Sequence, residues 1–130
     1  MKRRPDVAVK LILRCGSKIL MLNHRNGTFD FPGGRIEWLE SPEEALRREL
    51  VEELKYTIIG NIRFFDIWNY ISRDKQRQSI FLYYFQSIKK RPELRSTEHA
   101  RILWLSKQEL KPIIKNPAFL KKIFSLKPIK

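Results

Sequence analysis

Val7 to Arg14 alternates and is rich in β-branched residues, which predicts a strand. Cys15-Gly16-Ser17-Lys18 has turn composition and Ile19 to Asn23 continues as a second strand, so the pair predicts a hairpin. Asn26-Gly27 marks another turn, and a short apolar run, Phe29-Asp30-Phe31, leads into Pro32-Gly33-Gly34. At Ser41 the pattern becomes helical. Ser41 is a good N-cap, Pro42 suits the first helical position, and Glu44 completes a capping box, so a helix is expected to about Leu54. Thr57 to Ile71 and Gln78 to Ile88 are dense in β-branched and aromatic residues, and the polar Ser72 to Gln76 between them predicts the turn of a long hairpin. A charged loop, Lys89 to His99, precedes a short strand at Ile102 to Leu105, and Ser106 caps a helical turn to Leu110. Asn116-Pro117 opens a last helix with Phe119, Leu120, Ile123 and Phe124 on one side. These elements predict an α+β fold with a mixed central sheet flanked by helices, as one domain over residues 1–130.

The helix beginning at Ser41 is unusual in what it exposes. At 100° per residue, Glu49, Glu52 and Glu53 fall within about 100° of arc, beside a stripe of Leu46, Leu50 and Leu54. One side anchors the helix while its neighbour presents three carboxylates, a destabilising arrangement unless something compensates. Arg47 and Arg48 are the local cations, and the helical spacing puts neither in the middle of the acidic face. Two readings follow: a solvated Glu-rich helix, or a site for divalent cations with oxygen ligands, Mg²⁺ or Mn²⁺.

Charge sharpens the contrast. The chain carries 27 Lys and Arg against 14 acids, a net +13, yet seven of those acids lie between Glu37 and Glu53. That window is at −5 and the other 113 residues at +18. So basic a chain suits a polyanionic partner, whether nucleotide, polyphosphate, RNA or an acidic surface. Cys15 is the one cysteine, which excludes an intrachain disulfide and fits a reducing compartment. Lys10 interrupts the N-terminal apolar run, so no signal peptide is expected, and no segment reaches the ~20 apolar residues that span a bilayer. A cytoplasmic protein with no membrane association is the expectation, as monomer or homodimer.

Residues 34–53 resemble the signature of the Nudix hydrolase family, G-x5-E-x7-R-E-U-x-E-E-x-G-U, where U is a bulky aliphatic residue. Gly34, Glu40, Arg48, Glu49, Leu50, Glu52 and Glu53 match in register, seven of nine specified positions. Lys55 and Tyr56 stand where the family has Gly and an aliphatic residue. The preceding Phe29-Asp30-Phe31-Pro32-Gly33-Gly34 resembles the family's aromatic-x-x-P-G-G lead-in, and Glu98-His99 before Ile102 resembles its later segment.

The resemblance, closest to the MutT-like members, implies an α/β/α sandwich and a Mg²⁺-dependent (or Mn²⁺-dependent) pyrophosphohydrolase. Such an enzyme cleaves the diphosphate linkage of a nucleoside di- or triphosphate derivative, for example an oxidised dNTP to dNMP and pyrophosphate. By the same resemblance Glu52 and Glu53 are metal ligands, with Glu49 a third ligand or the base that activates water. Arg48 orients Glu49, Glu98 is a further ligand or base, and Gly33 and Gly34 bring backbone close to metal or phosphate. Glu40 fixes the loop before the helix. Arg25 and Arg35 are candidates to hold phosphates and Phe31 to stack on a nucleobase. Trp68, Tyr70, Tyr83 and Phe85 lie on strands and are read as core, with stacking as the alternative. Two other functions remain in view: hydrolysis at the 5′ end of RNA, suggested by the basic remainder of the chain, and a non-catalytic nucleotide-sensing module.

Overall fold

The computed structural model describes residues 3–126. Strand β1 (Asp6–Cys15) turns through Gly16 and Ser17 into β2 (Lys18–Asn23), and the short β3 (Phe29–Asp30) and β4 (Gly33–Arg35) follow. Helix α1 (Pro42–Leu54) comes next, then the hairpin β5 (Arg63–Ile71) and β6 (Gln78–Ile88), β7 (Arg101–Leu105), α2 (Lys107–Leu110) and α3 (Pro117–Ser125). Among the described residues these strands form one seven-stranded sheet in the order β3-β2-β1-β6-β5, with β4 on β1 and β7 on β2. It is mixed: β1 runs parallel to β6 from Asp6↔Ser79 to Cys15↔Ile88, and the other pairs are antiparallel.

Strand alternation sorts β1 between two cores. Val9, Leu11 and Leu13 face α1, packing with Leu46, Leu50 and Leu54. Ile12 faces the other way and joins Ile19, Phe85, Leu110, Phe119 and Ile123 beneath α2 and α3. Because both faces of β1 are covered, its apolar run is nearly continuous. The result is the expected α/β/α sandwich within an α+β fold.

The β1–β2 hairpin is paired only at Arg14↔Ile19 and Cys15↔Lys18. Beyond that the strands part. β1 takes β4 as its neighbour (Ala8↔Arg35 to Lys10↔Gly33), and β2 takes β7 and β3. β4 is thereby carried over β1, within reach of α1.

The long segment after α1 departs from expectation. Strand pairing begins at Arg63 rather than Thr57, and 57–62 form a loop. Arg47 Nη1 and Nη2 donate to the carbonyls of Ile58 and Gly60 at 2.9 and 3.2 Å, and Gly60 adopts a φ of +85°. With Ile58 buried in the α1 core, this stretch seals the helix instead of extending the sheet. Trp68 and Tyr70 also depart from the core reading: they are 43% and 46% exposed on β5, whereas Phe85 is buried as expected. No helix among the described residues is long and apolar enough to cross a membrane.

Candidate functional site

The loop between β4 and α1 is folded by its own polar groups. Glu40 N donates to Glu37 O at 3.0 Å, and Glu37 N donates to Glu40 Oε1 at 2.9 Å. This turn sets Leu39 at φ +69°, with Trp38 and Leu39 projecting into solvent. Ser41 then caps α1, its Oγ accepting from Glu44 N while Glu44 Oε1 accepts from Ser41 N.

Arg48 is at the centre of the acidic cluster, not off its flank as the helical spacing predicts. Nε donates to Glu40 Oε2 at 2.6 Å and Nη2 to Glu40 Oε1 at 2.9 Å, a two-pronged grip on one carboxylate. Nη1 donates to Glu49 Oε1 at 2.9 Å and Glu52 Oε2 at 3.1 Å, and Nη2 also to the Arg35 carbonyl at 3.0 Å. The guanidinium thus spends all five N–H donors on one cluster. Idealised spacing misses this because the long arginine stem swings its head across neighbouring positions. The Arg48 hydrogen bonds, helped by the Glu37 N–H, hold the Glu40 carboxyl down at about 2. Glu40 in turn raises the Arg48 pKa.

The glycines next to the helix are required by space. A Cβ on Gly34 would lie 2.3–2.5 Å from the Glu49 carboxylate, and one on Gly33 would lie 1.9 Å from the Val9 carbonyl oxygen. Their absence lets β4 backbone meet the helix's carboxylates directly. Glu53 Oε1 accepts from Gly33 N at 3.0 Å. Burial pushes the Glu53 carboxyl up to about 7; the Gly33 N–H and Lys10 oppose that rise, and Glu98 and Asp30 add to it.

Glu98 is exposed, but its loop is docked on the C-terminal end of α1. Arg95 N donates to Leu54 O and Thr97 N to Glu53 O, both at 3.0 Å, and Thr97 Oγ1 donates to Glu52 O at 3.0 Å. Helix-end carbonyls that lack intrahelical partners therefore dictate where this loop sits.

Glu49 beside Gly34 and Glu53 beside Gly33, with Glu52 on the same helix and the Glu98 charge acting on Glu53, offer carboxylate oxygens, hard donors that suit Mg²⁺ or Mn²⁺. Among the described residues, no three acidic, His or Cys side chains converge tightly enough to enclose an ion as they stand. Arg48 draws Glu49 and Glu52 to itself while Glu53 turns to Gly33. The Glu52 side chain is 60% exposed, so a rotamer change suffices to release it. The donor set fits the cation.

The candidate substrate residues scatter more widely. Phe31 is 7% exposed, yet it forms part of a cleft of about 370 Å³ with Trp68, Tyr70, Tyr83, Asn116 and Phe119. Its ring stacks on Phe119 (6.4 Å) and meets Tyr83 edge-on (5.8 Å). Arg35 is exposed, with Nη2 3.3 Å from Asp6 Oδ2. Arg25 sits exposed in the β2–β3 turn, outside the residues that line the cleft. Sequence reasoning missed Lys10 and Asp30, a pair at 2.8 Å with Lys10 only 9% exposed, lying near Glu53. The signal was present, since a lysine inside an apolar strand has to find a carboxylate. Asn116 was read as a cap and is one, accepting from Ala118 N and Phe119 N, but it also borders the cleft.

A family model, NUDIX domain, matches residues 2–126 of this chain. A putative 8-oxo-dGTP diphosphatase, YtkD, of Bacillus subtilis (strain 168) is 38% identical over 77 residues, which are 45% of this chain and 49% of the relative. The 8-oxo-dGTP diphosphatase of Buchnera aphidicola subsp. Acyrthosiphon pisum (strain APS) is 33% identical over 81 residues, 62% of each chain. The chain thus spans about half to three fifths of the length of these curated relatives. Among solved structures, a MutT NUDIX hydrolase from Burkholderia pseudomallei superposes with a TM-score of 0.80, covering 93% of this chain and 99% of that one at 22% identity. That likeness is one of fold.

Proposed function

Because this chain belongs to the NUDIX family, we propose that it is a divalent-cation-dependent pyrophosphohydrolase of a nucleoside di- or triphosphate derivative. The observation that carries the reading is the meeting of Glu53 and Glu49 on α1 with the side-chain-free Gly33 and Gly34, with Glu52 tied to Glu49 through Arg48. Carboxylates and open backbone there make one oxygen-rich surface. The relatives named as 8-oxo-dGTP diphosphatases support an oxidised dNTP as substrate, cleaved to dNMP and pyrophosphate.

In this reading Glu52 and Glu53 hold Mg²⁺ or Mn²⁺, with the Gly34 backbone beside them and Glu49 as third ligand or base. The bound ion would neutralise charge on the phosphate oxygens as water attacks phosphorus. Arg48 keeps the Glu49 carboxylate in one orientation and, through Glu40, ties it to the loop that precedes the helix. Glu98, carried by its docked loop, is a further ligand or base. Arg35, exposed at the edge of the cluster, meets the phosphates. Arg25, away from the cleft, is given no part. The cleft floored by Phe31 falls within the 300–1,000 Å³ typical of small-molecule sites and offers aromatic faces to a base.

Glu52→Gln should lower Mg²⁺-dependent release of pyrophosphate from a panel of normal and oxidised dNTPs by at least about a hundredfold. Its circular dichroism should match wild type, because the Glu52 side chain is mostly exposed. Undiminished turnover in that variant sinks the site. A second reading, hydrolysis at the 5′ end of RNA, is favoured by the +18 carried outside residues 37–53. The non-catalytic alternative is the weakest, since every acid of the signature is present.

A further inference from the structure

At the start of β1, the end away from its hairpin with β2, the segment Arg3–Asp6 and the β5–β6 turn enclose a cleft of about 540 Å³. Four cations line it, Arg3, Arg4, Lys75 and Arg77, against a single carboxylate, Asp6. Asp6 is already engaged by Arg35 at 3.3 Å. The acid of the turn, Asp74, stays exposed, its Oδ1 accepting from Ser72 Oγ at 2.7 Å and Gln76 N at 3.0 Å, and those hydrogen bonds, with a smaller pull from Arg77, lower its pKa. Arg3 donates to the Gln76 carbonyl and, at 3.4 Å, to Gln76 Oε1, which fastens the N-terminal segment to the turn. Among the described residues Arg4, Lys75 and Arg77 form no ion pair.

Convergent cations in a concave surface concentrate a positive field and call for an anion. The cleft contains no aromatic residue. It therefore offers charge without a stacking platform, the chemistry of phosphate contact rather than base reading. Arg35 links it to the carboxylate cluster. Asp6 on its wall holds the Arg35 side chain, and the Arg35 carbonyl accepts from Arg48 Nη2 at 3.0 Å. A free nucleotide bound at the carboxylates holds all of its phosphates in one short chain there, whereas a strand carries further phosphodiesters along its length.

We propose that this cleft binds the phosphodiester backbone of a single-stranded nucleic acid. The strand's 5′ end then lies at the carboxylate cluster, and that clause rests on the hydrolase reading, whereas the backbone contact stands without it.

The test is fluorescence anisotropy with a short 3′-labelled oligoribonucleotide and the oligodeoxyribonucleotide of the same sequence, titrated at several salt concentrations. Arg4→Ala/Arg77→Ala should weaken binding roughly tenfold and lower the slope of log K against log salt by about 1.4, two contacts at ~0.7 each. A charge-matched variant at the two ends of α2, Lys107→Ala/Lys111→Ala, should stay within about twofold of wild type. Loss with either sugar supports the proposal and identifies the strand. Equal affinity of wild type and the cleft variant overturns it, as does an equal loss in the α2 variant or binding of inorganic polyphosphate alone. Turnover of free nucleotides should be unchanged in the cleft variant. If no protein turns over any nucleotide, the hydrolase reading fails while the binding result still stands.

Discussion

Arg48 shows what one side chain can do to a repulsive surface. Four glutamates lie within 4 Å of its guanidinium, and the five-donor fork bonds three of them and the Arg35 carbonyl without leaving an orphan proton. Lysine, with its three rotatable donors, cannot hold that pattern. The most strongly held partner, Glu40, gives the cluster an acid signature. Its carboxyl lies at about 2 in the folded protein against an ordinary 4.5. A depressed folded pKa adds stability that is complete above 4.5 and disappears as pH falls through 2. In metal-free buffer, wild type should therefore melt above Glu40→Gln at neutral pH, and the gap should close between pH 4.5 and 2. A gap independent of pH would contradict this. The family pattern marked both Glu40 and Arg48 but joined Arg48 to Glu49, and nothing in their eight-residue separation reveals that Glu40 and Arg48 meet across a loop and a helix.

Helix α1 was readable almost entirely from local chemistry. Its cap, its Pro42 start, its Leu46-Leu50-Leu54 stripe and its end all appear where Ser41 to Lys55 predict them. Lys55 ends it in the left-handed region at φ 56°, the conformation a glycine would take there, and Lys55 N and Tyr56 N bond back to Val51 O and Leu50 O. Lys55→Gly should keep those bonds, remove the Cβ conflict and stabilise the protein by about 1 kcal/mol in urea unfolding. Equal or lower stability would show that the lysine side chain contributes something the backbone angle does not reveal. Tyr56, the other departure from the family pattern, is buried and donates its hydroxyl to Gln86 Oε1 at 3.0 Å. A polar tip is tolerated in that apolar position because β6 supplies its partner. By contrast, the loop before β5 looked like strand, because β-branched residues pack equally well in a buried loop and in a sheet.

At the scale of the molecule, the parting of β1 from β2 turns separate segments into a site. It brings β4 over β1, so that Gly33 and Gly34 meet α1, while the loop carrying Glu98 closes over the helix end. With proposed ligands drawn from a helix, a strand and a loop, cation uptake would report on the whole fold. Calorimetric titration of wild type with Mg²⁺ or Mn²⁺ should show binding, and saturating cation should raise the melting temperature. Glu53→Gln should lose most of that uptake. Absence of heat and of any thermal shift in wild type would remove the metal from the proposal.

Ser41 to Lys55 determined by themselves where a helix starts, which side it buries and which carboxylates it shows, since all of these depend on contacts within a few residues. The order of charge along the chain likewise separated one acidic window from a basic remainder. Only the tertiary structure decided that Arg48 fills the middle of the acidic face, that Lys10 and Asp30 pair near Glu53, that Trp68 and Tyr70 border a cleft, and that Arg4 and Arg77 share another. Each of those results joins residues whose meeting depends on strand order, register or the reach of a long side chain, and no local pattern encodes them.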